Sequence, residues 1–415
     1  MRFAGAPRVA HRVGRYVASA DRRRGQLCTV MNPQCPTYRS GKVVQTNRAT
    51  SGDGTDTLLS TSALIAAITT TPTTYTVTNI ETIAANTILV TGQAFTPTNI
   101  SATATRLNLL GAGGGAALGT AAADAYTVTG PAGAFTLGLG RAALLNTLGI
   151  LGAGATLAIS DTGTATTDSI TILNSAANTS TGGQLAVFNT LAITSVGYET
   201  VTINNGTIGN VTQVLGAISV TGDSLVNTTL TLTGANTVTT GAITAAIIDA
   251  SALSAAGTAI GAGTATFQMA GVNTATTITG SAGIDNLIGH ASSATSITAG
   301  TGADSITAGS GNDTVLGGDG SDSITSGAGN DSIDGGAGND TITLAGNLAS
   351  GDVIDGGAGT DTLLVSAAIA AAAAATVTNV EVISFSATAA QDMTAFLNVG
   401  VTTLGATADK ATFFL

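Results

Sequence analysis

The sequence predicts an all-β protein in which many short strands stack into a solenoid. Three observations lead to this fold class. Thr, Ser or Asn alternate with Val, Ile, Leu or Ala in short runs that Gly, Asn or Asp interrupt, short units recur along the chain, and five consecutive nine-residue units fill residues 299–343. Small and β-branched side chains favour thin, stacked β-structure over a thick core.

Composition and charge restrict the classes of partner. The 415 residues include 55 Gly and no Trp, and charged residues make up 9%, against roughly 25% in typical soluble proteins. Ten of the 13 basic residues lie in residues 1–48, whereas all but one of the 24 acidic residues follow. A body this acidic repels nucleic acid and anionic lipid and attracts cations, so no nucleic-acid partner is expected.

The basic leader, residues 1–47, is predicted to be disordered or a misassigned start. It contains both cysteines, Cys28 and Cys35, so no disulfide framework is expected in the body. It lacks the apolar stretch of a secretory signal peptide, and no later segment is apolar over about 18 residues. We therefore predict no membrane span.

Residues 48–279 form a Thr/Ala/Gly-rich region of strand repeats, predicted to be β-solenoid-like or a β-sandwich. Runs such as Ser169–Leu173 (SITIL) show the period-two alternation of half-buried strands. No long amphipathic helix is evident.

An internal repeat links the two ends of this body. The strand TVTNIETI at Thr76–Ile83 recurs as TVTNVEVI at Thr376–Ile383, and a looser copy, SVGYETVTI, spans Ser195–Ile203. The glutamates in these copies, Glu81, Glu199 and Glu381, are expected to set register or cap strands rather than bind metal.

The five nonads of residues 299–343 are AGTGADSIT, AGSGNDTVL, GGDGSDSIT, SGAGNDSID and GGAGNDTIT. Position 8 is aliphatic in all five, at Ile306, Val315, Ile324, Ile333 and Ile342. Position 6 is aspartate in all five, at Asp304, Asp313, Asp322, Asp331 and Asp340. Glycines at positions 2 and 4 permit a positive φ and close backbone approach, so each nonad is predicted to be a turn followed by a short strand.

If two nonads complete one coil, aspartates two nonads apart stack in columns. One column would hold Asp304, Asp322 and Asp340, and the other Asp313 and Asp331. Carboxylates stacked about 5 Å apart repel by about 1 kcal/mol per pair even in water. Residues 280–361 contain 11 Asp and no Lys or Arg, so a hard divalent cation must neutralise them. Calcium fits better than magnesium, because it accepts six to eight oxygen ligands in flexible geometry.

These nonads resemble the RTX (repeats-in-toxin, hemolysin-type) family, for which the same repeat is a known calcium-binding signature. The resemblance implies a parallel β-roll over residues 280–364, with several calcium ions held between turns by aspartate carboxylates and backbone carbonyls. Imperfect copies extend the predicted site to both sides, whereas the stretch around His290 has lost both Gly and Asp and is not expected to bind calcium. The predicted metal-site residues are Asp285, Gly300, Gly302, Asp304, Gly309, Gly311, Asp313, Gly318, Gly320, Asp322, Gly327, Gly329, Asp331, Gly336, Gly338, Asp340, Asp352, Gly357, Gly359 and Asp361.

The Thr/Ala/Gly/Asn-rich, Lys-poor composition also resembles RTX-type bacterial S-layer proteins. This resemblance implies a secreted structural protein of the cell surface, with self-assembly into a lattice and with cell-surface polysaccharide as a further partner. RTX proteins generally use type I secretion. Residues 365–415 are accordingly predicted to be a C-terminal β module, a secretion signal or a truncated repeat.

Two other functions remain open: an RTX adhesin that binds cells or glycans, and the non-catalytic part of an RTX exoenzyme. The sequence contains no H-E-x-x-H zinc site and no G-x-S-x-G elbow. Its two histidines, His11 and His290, have no catalytic partners in sequence, and His290 is expected to be an exposed loop residue. We therefore predict no catalytic residues and no enzyme activity.

Overall fold

A computed structural model of the chain describes most of its central part and shorter segments on either side. The described residues are 48–50, 57–60, 76–78, 81–85, 93–99, 102–109, 125–139, 155–161, 163–164, 167–174, 190–206, 213–222, 228–235, 237–253, 267–269, 276–344, 348, 351–366, 375–385, 390–392, 403–406 and 412–414. The predicted leader, residues 1–47, lies outside the described residues.

The described part of the chain consists of short strands and one 3-10 turn, Pro97–Asn99, which confirms the all-β prediction. The first half contains β1 (Arg48–Thr50), β2 (Thr57–Ser60), β3 (Thr76–Thr78), β4 (Thr82–Ala85), β5 (Gln93–Phe95), β6 (Arg106–Leu109), β7 (Ala125–Thr129), β8 (Ala134–Leu139), β9 (Thr156–Ser160), β10 (Ser169–Asn174), β11 (Leu191–Gly197), β12 (Thr200–Asn204), β13 (Gln213–Gly222), β14 (Thr229–Gly234), β15 (Val238–Thr240), β16 (Ile243–Thr244) and β17 (Ile247–Leu253). The second half contains β18 (Phe267–Met269), β19 (Thr277–Thr279), β20 (Asn286–Ile288), β21 (Ser296–Thr301), β22 (Ser305–Thr307), β23 (Thr314–Asp319), β24 (Ser323–Thr325), β25 (Ser332–Ala337), β26 (Thr341–Leu344), β27 (Val353–Asp355), β28 (Thr362–Val365), β29 (Thr376–Thr378), β30 (Val382–Phe385), β31 (Ala390–Asp392), β32 (Thr403–Ala406) and β33 (Thr412–Phe414). None of these described residues lies in a helix long and apolar enough to cross a membrane.

Two long parallel sheets carry almost all of these strands. Sheet 1 has 14 strands in the order β2-β4-β6-β8-β10-β12-β14-β17-β19-β21-β23-β25-β27-β29. Sheet 2 has 15 strands, running from β5 through β7, β9, β11, β13, β15, β18, β20, β22, β24, β26, β28 and β30 to β32, with β16 also paired to β13. The chain alternates between the sheets, so each coil contributes one strand to each of them. This is a parallel solenoid, and the β-sandwich alternative for residues 48–279 is wrong.

The coil length differs between the two halves of the solenoid. Within the nonads, Ser296 pairs with Thr314, so one coil takes two nonads, as the sequence predicts. In the upstream half, Ser169 pairs with Thr200, so the corresponding coil is longer than three nonads. Both sheets run without interruption past residues 279 and 364, and separate folding of the predicted domains stays a prediction.

The core is a narrow aliphatic layer between the two sheets. Inward and outward residues alternate along each strand, as in β25, where Ile333 is buried between the exposed Ser332 and Asp334. All five position-8 residues of the nonads are at most 1% exposed, so the middle residue of each nonad strand points into the core. Burial of each such side chain contributes about 1.5–3 kcal/mol to folding, so one buried aliphatic per strand holds each coil in place.

The glutamate of each of the three related copies lies directly before a strand. Glu81 precedes β4 and Glu199 precedes β12, both of sheet 1, whereas Glu381 precedes β30 of sheet 2. Glu199 lies between β11 and β12, and Glu381 lies between β29 and β30. These glutamates therefore occupy the same corner position as the aspartates of the nonads.

Candidate calcium-binding site

The position-6 aspartates stand at the end of each nonad corner and form the two predicted columns. In column A, the backbone N–H of each aspartate donates to Oδ1 of the aspartate one coil later. Asp285 donates to Asp304 at 2.7 Å, Asp304 to Asp322, Asp322 to Asp340 and Asp340 to Asp361, the last three at 2.8 Å. In column B, Asp313 donates to Asp331 and Asp331 to Asp352, both at 2.9 Å. Aspartates of the core nonads and of the flanking units thus join the same columns.

One end of each column is formed by a residue other than aspartate. Glu381 extends column A, because its Oε2 accepts the N–H of Asp361 at 2.8 Å. Thr295 begins column B and donates its N–H to Asp313 Oδ1 at 2.7 Å. Sequence reasoning missed the place of Glu381 in the column. The available signal was the spacing, since Glu381 precedes the inward Ile383 by two residues, as Asp does in every nonad.

The second oxygen of most column carboxylates has no protein partner. Oδ1 is bound to the backbone, whereas Oδ2 is buried and accepts no hydrogen bond in five of the aspartates, namely Asp304, Asp313, Asp322, Asp340 and Asp361. Each of these side chains is at most 2% exposed. An ionised oxygen buried in this way costs several kcal/mol unless a cation compensates it.

Backbone carbonyls converge on these unpartnered oxygens. At Gly317, the position that a Cβ would occupy is 2.5 Å from Asp322 Oδ2 and also adjoins the carbonyl oxygen of Gly335. At Gly335, the equivalent position is 2.6 Å from Asp340 Oδ2 and adjoins the carbonyl oxygen of Gly356. A side chain would fill these small spaces, so in the two nonads that begin with glycine, Gly317 and Gly335 keep them open between a carboxylate oxygen and a carbonyl oxygen.

Glycines at positions 2 and 4 shape the corner. Gly320 and Gly338 have φ near +139°, and a Cβ at Gly338 would collide with the carbonyl oxygen of Gly320 one coil earlier. Of the predicted site glycines, Gly311 alone lacks a positive φ. It packs instead against the backbone of Ser293 and Ala294, because the preceding coil is the degenerate stretch and has no glycine turn to stack on.

The electrostatics of the columns follow from burial and from like charges. The pKa of Asp304 and of Asp331 is raised to about 6, mainly by burial and in addition by the neighbouring column carboxylates, while backbone N–H donors oppose the shift. Burial likewise raises the pKa of four more carboxyls, those of Asp313, Asp322, Asp340 and Asp361. The charged form is therefore disfavoured in the columns until a cation is present.

The corners fit a hard cation that takes oxygen ligands. Calcium accepts six to eight oxygens at roughly 2.3–2.6 Å, and carboxylate Oδ2 atoms with stacked turn carbonyls supply that chemistry. Within the described ranges no three Asp, Glu, His or Cys side chains gather at one point.

Two predicted regions differ from the regular corners. At Asp285, both carboxylate oxygens are engaged by Ser281, since Oδ2 accepts its N–H at 2.5 Å and Oδ1 its hydroxyl at 2.7 Å. In the degenerate stretch, His290 is half-buried, not exposed as expected, and its Nδ1 accepts the N–H groups of Ser292 and Ser293 at 3.0 and 2.9 Å. Side-chain hydrogen bonds thus stabilise the turn in this stretch, whereas glycine and aspartate form the turn in the regular corners.

Comparison with known proteins identifies the nonads. The family model of the RTX calcium-binding nonapeptide repeat (4 copies) matches residues 294–324, 316–346 and 349–366. No curated protein and no solved structure matches the chain. Together with the aspartate columns and glycine corners, the match shows that residues 294–366 carry RTX hemolysin-type calcium-binding nonapeptide repeats.

Proposed function

We propose that the chain is a secreted, calcium-binding structural protein of the bacterial cell surface, similar to an S-layer protein. Calcium would fold and rigidify the repeats after export. The observation that carries this proposal is the pair of aspartate columns, in which buried carboxylate oxygens face carbonyls and have no basic side chain near them in sequence.

The calcium dependence suits a protein that folds outside the cell. Below micromolar calcium, the uncompensated columns oppose folding of residues 280–364. Extracellular calcium modules bind at roughly 0.1–1 mM calcium, and binding to the folded form alone stabilises it. The same chain would therefore pass through a secretion channel unfolded and become rigid at the cell surface.

The outward faces of the sheets support lateral packing. On sheet 1, Thr171, Thr202 and Thr231 stand side by side on successive strands. Fourteen strands spaced about 4.8 Å apart make this sheet about 60 Å long. The uncharged hydroxyl groups of these neighbouring strands present little self-repulsion, which favours contact between copies in a layer.

Electron microscopy of the purified chain with and without calcium tests the proposal. We expect ordered two-dimensional arrays in millimolar calcium and none in EDTA. Monomers in both buffers would contradict the lattice role. Binding of such monomers to cells or glycans would then favour the adhesin, and substrate turnover would favour the exoenzyme.

The columns also provide matched variants for this assay. Asp322→Asn removes one column carboxylate, whereas Asp334→Asn removes an exposed carboxylate from the sheet face. Both variants change the net charge equally. If calcium acts through the columns, only Asp322→Asn should raise the calcium concentration at which arrays form.

A further inference from the structure

A corner outside the matched repeats shares with the nonad corners an aspartate Oδ2 beside a position-1 glycine, although the atom nearest to the Cβ position of that glycine is Ala132 Cβ and not a carbonyl oxygen. Residues 163–171 read GTATTDSIT, with Gly at position 1, Asp168 at position 6 and Ile170 at position 8, although glycines at positions 2 and 4 are missing. Asp168 Oδ2 lies 3.1 Å from the position that a Cβ of Gly163 would occupy. In the repeats, Asp361 Oδ2 lies 2.9 Å from the corresponding position at Gly356.

Asp168 is also bonded like a column aspartate. Its Oδ1 accepts the N–H of Gly133 at 2.6 Å, and its own N–H donates to Glu199 Oε2 at 2.9 Å. The side chain is 2% exposed, and its Oδ2 is buried without a hydrogen-bond partner. A buried carboxylate oxygen in this state requires compensation, as it does in the nonads.

A second carboxylate faces the same point. Asp161, directly after β9, places its Oδ2 3.0 Å from the Cβ position of Gly163 and accepts the N–H of Gly163 at 3.1 Å. Its Oδ1 lies against Gly197, where φ is +94° and a side chain would displace the carboxylate. No Lys or Arg occurs in the sequence between Arg141 and Lys410 to balance the two charges.

We propose that Asp161 and Asp168 hold a calcium ion at the corner between β9 and β10. Two carboxylates that face one small space attract a divalent cation, and backbone carbonyls and water would complete the six to eight ligands that calcium takes. The site lies outside residues 294–366, on the longer coils. Calcium would therefore also stabilise the upstream half of the solenoid. This inference does not depend on the surface-layer role.

Tyr198 provides a specific reporter for this site. It is fully buried, and its hydroxyl donates to the Pro131 carbonyl at 3.0 Å. Tyr198 directly follows Gly197, which adjoins Asp161 Oδ1, and burial together with the charges of Asp161 and Asp168 raises the pKa of the Tyr198 hydroxyl. The nonads contain no Tyr, and the chain contains no Trp.

Terbium luminescence of the full chain tests the proposal, because Tb³⁺ replaces Ca²⁺ and emits when a nearby tyrosine transfers excitation to it. We expect tyrosine-excited emission from the wild-type chain and its displacement by calcium. Tyr198→Phe should remove most of the emission. Asp168→Asn, which keeps the acceptor for Gly133, should weaken terbium binding about tenfold or more.

Matched variants separate this site from the nonads. Asp249→Asn removes a carboxylate that already accepts the N–H and the hydroxyl of Ser251, at 3.0 and 2.6 Å, so it should leave the emission unchanged. Asp322→Asn should lower the number of calcium ions bound but not the emission. Absence of tyrosine-excited emission in the wild-type chain would overturn the proposal.

Asp161→Asn covers the case in which Asp168→Asn fails to fold, and far-UV circular dichroism monitors folding of both. Asp161→Asn should also weaken terbium binding. Emission equal to that of the wild-type chain in either folded variant would refute the site. A failure here would leave calcium binding by the nonads and array formation untouched, since those are measured separately.

Discussion

Asp322→Asn should have opposite effects in the absence and in the presence of calcium. Asparagine keeps the Oδ1 acceptor that receives the Asp304 N–H at 2.8 Å, but it removes the charge and the anionic Oδ2 that has no partner. Asp322 has one column neighbour on each side, Asp304 and Asp340. The substitution therefore preserves the hydrogen-bonded column and removes two repulsions.

The magnitude follows from the spacing of the coils. At about 5 Å, each repulsion amounts to about 1 kcal/mol in water and about 3 kcal/mol at an effective dielectric constant of about 20. Without calcium, the variant should consequently be more stable than the wild-type chain by about 2 kcal/mol or more. With calcium, it should be less stable, because a ligand of the ion is lost.

Urea denaturation followed by far-UV circular dichroism, in EDTA and in millimolar calcium, measures both effects. The control is Asp334→Asn, which changes the net charge equally but lies exposed on the sheet face. The control removes only the repulsion between Asp334 and Asp355, which pair on neighbouring strands, so it should shift the EDTA curve less than Asp322→Asn does and leave the calcium curve unchanged. The reasoning is refuted if Asp322→Asn lowers stability in EDTA, or if both variants shift the calcium curve equally.

Four other predictions concern the corners. The calcium-free repeats should gain strand content as the pH falls from 7 to 5, because the pKa of Asp304 and Asp331 in the folded state, about 6, lies above the unfolded value. The stability gained by protonating these carboxyls is complete below about pH 4 and is lost as the pH rises through 6. Calcium should correspondingly bind more tightly at pH 7 than at pH 5.5, as a titration at each pH will show. Gly320→Ala should lower the free energy of unfolding in calcium by about 2 kcal/mol or more, because its φ is +139° and the Gly302 carbonyl occupies the Cβ position. Glu381→Ala should cost about 1–3 kcal/mol in calcium by leaving the Asp361 N–H unpaired, and Glu381→Gln should cost less.

Each of these predictions has a contradicting outcome. Strand content that falls on acidification would show that the column carboxylates are not buried as described. A Gly320→Ala chain with wild-type stability would exclude the close stacking of successive corners. Equal losses in Glu381→Ala and Glu381→Gln would show that the hydrogen bond to the Asp361 N–H does not matter.

The sequence predicts the nonad half of the solenoid well because its period is strict. Aliphatic residues at every ninth position fix the inward face, and aspartates two nonads apart can only stack once two units complete a coil. The pairing of Ser296 with Thr314 and the hydrogen bond between Asp304 and Asp322 confirm both inferences.

The upstream half is less predictable because its coils vary in length. The paired residues Ser169 and Thr200 are 31 positions apart, against 18 for Thr314 and Ser332 in the nonads, so no fixed period in the sequence distinguishes a solenoid from a sandwich here. The sequence DSIT at Asp168–Thr171 is identical to the sequence at Asp304–Thr307. This identity is the feature of the sequence that points to the corner at Asp168.

The hydrogen bonds between the backbone and the column carboxylates could not be predicted from the sequence. Charge counting leaves every aspartate without a partner, whereas the backbone N–H of the preceding coil engages one oxygen of every column carboxylate other than Asp285. The residue spacing predicts neither these backbone hydrogen bonds nor the hydrogen bonds between Asp285 and Ser281, because both depend on the path that the backbone takes through the corner. The remaining need for calcium thus rests on the second carboxylate oxygen alone.

Hydrogen exchange of the full chain, resolved by mass spectrometry with and without calcium, tests the central claim most directly. We predict that amides of residues 299–343 are strongly protected in millimolar calcium and exchange rapidly in EDTA. Protection should return over a narrow range of calcium concentration as the columns are neutralised together. Equal protection of these amides in EDTA would contradict the claim that calcium completes this fold.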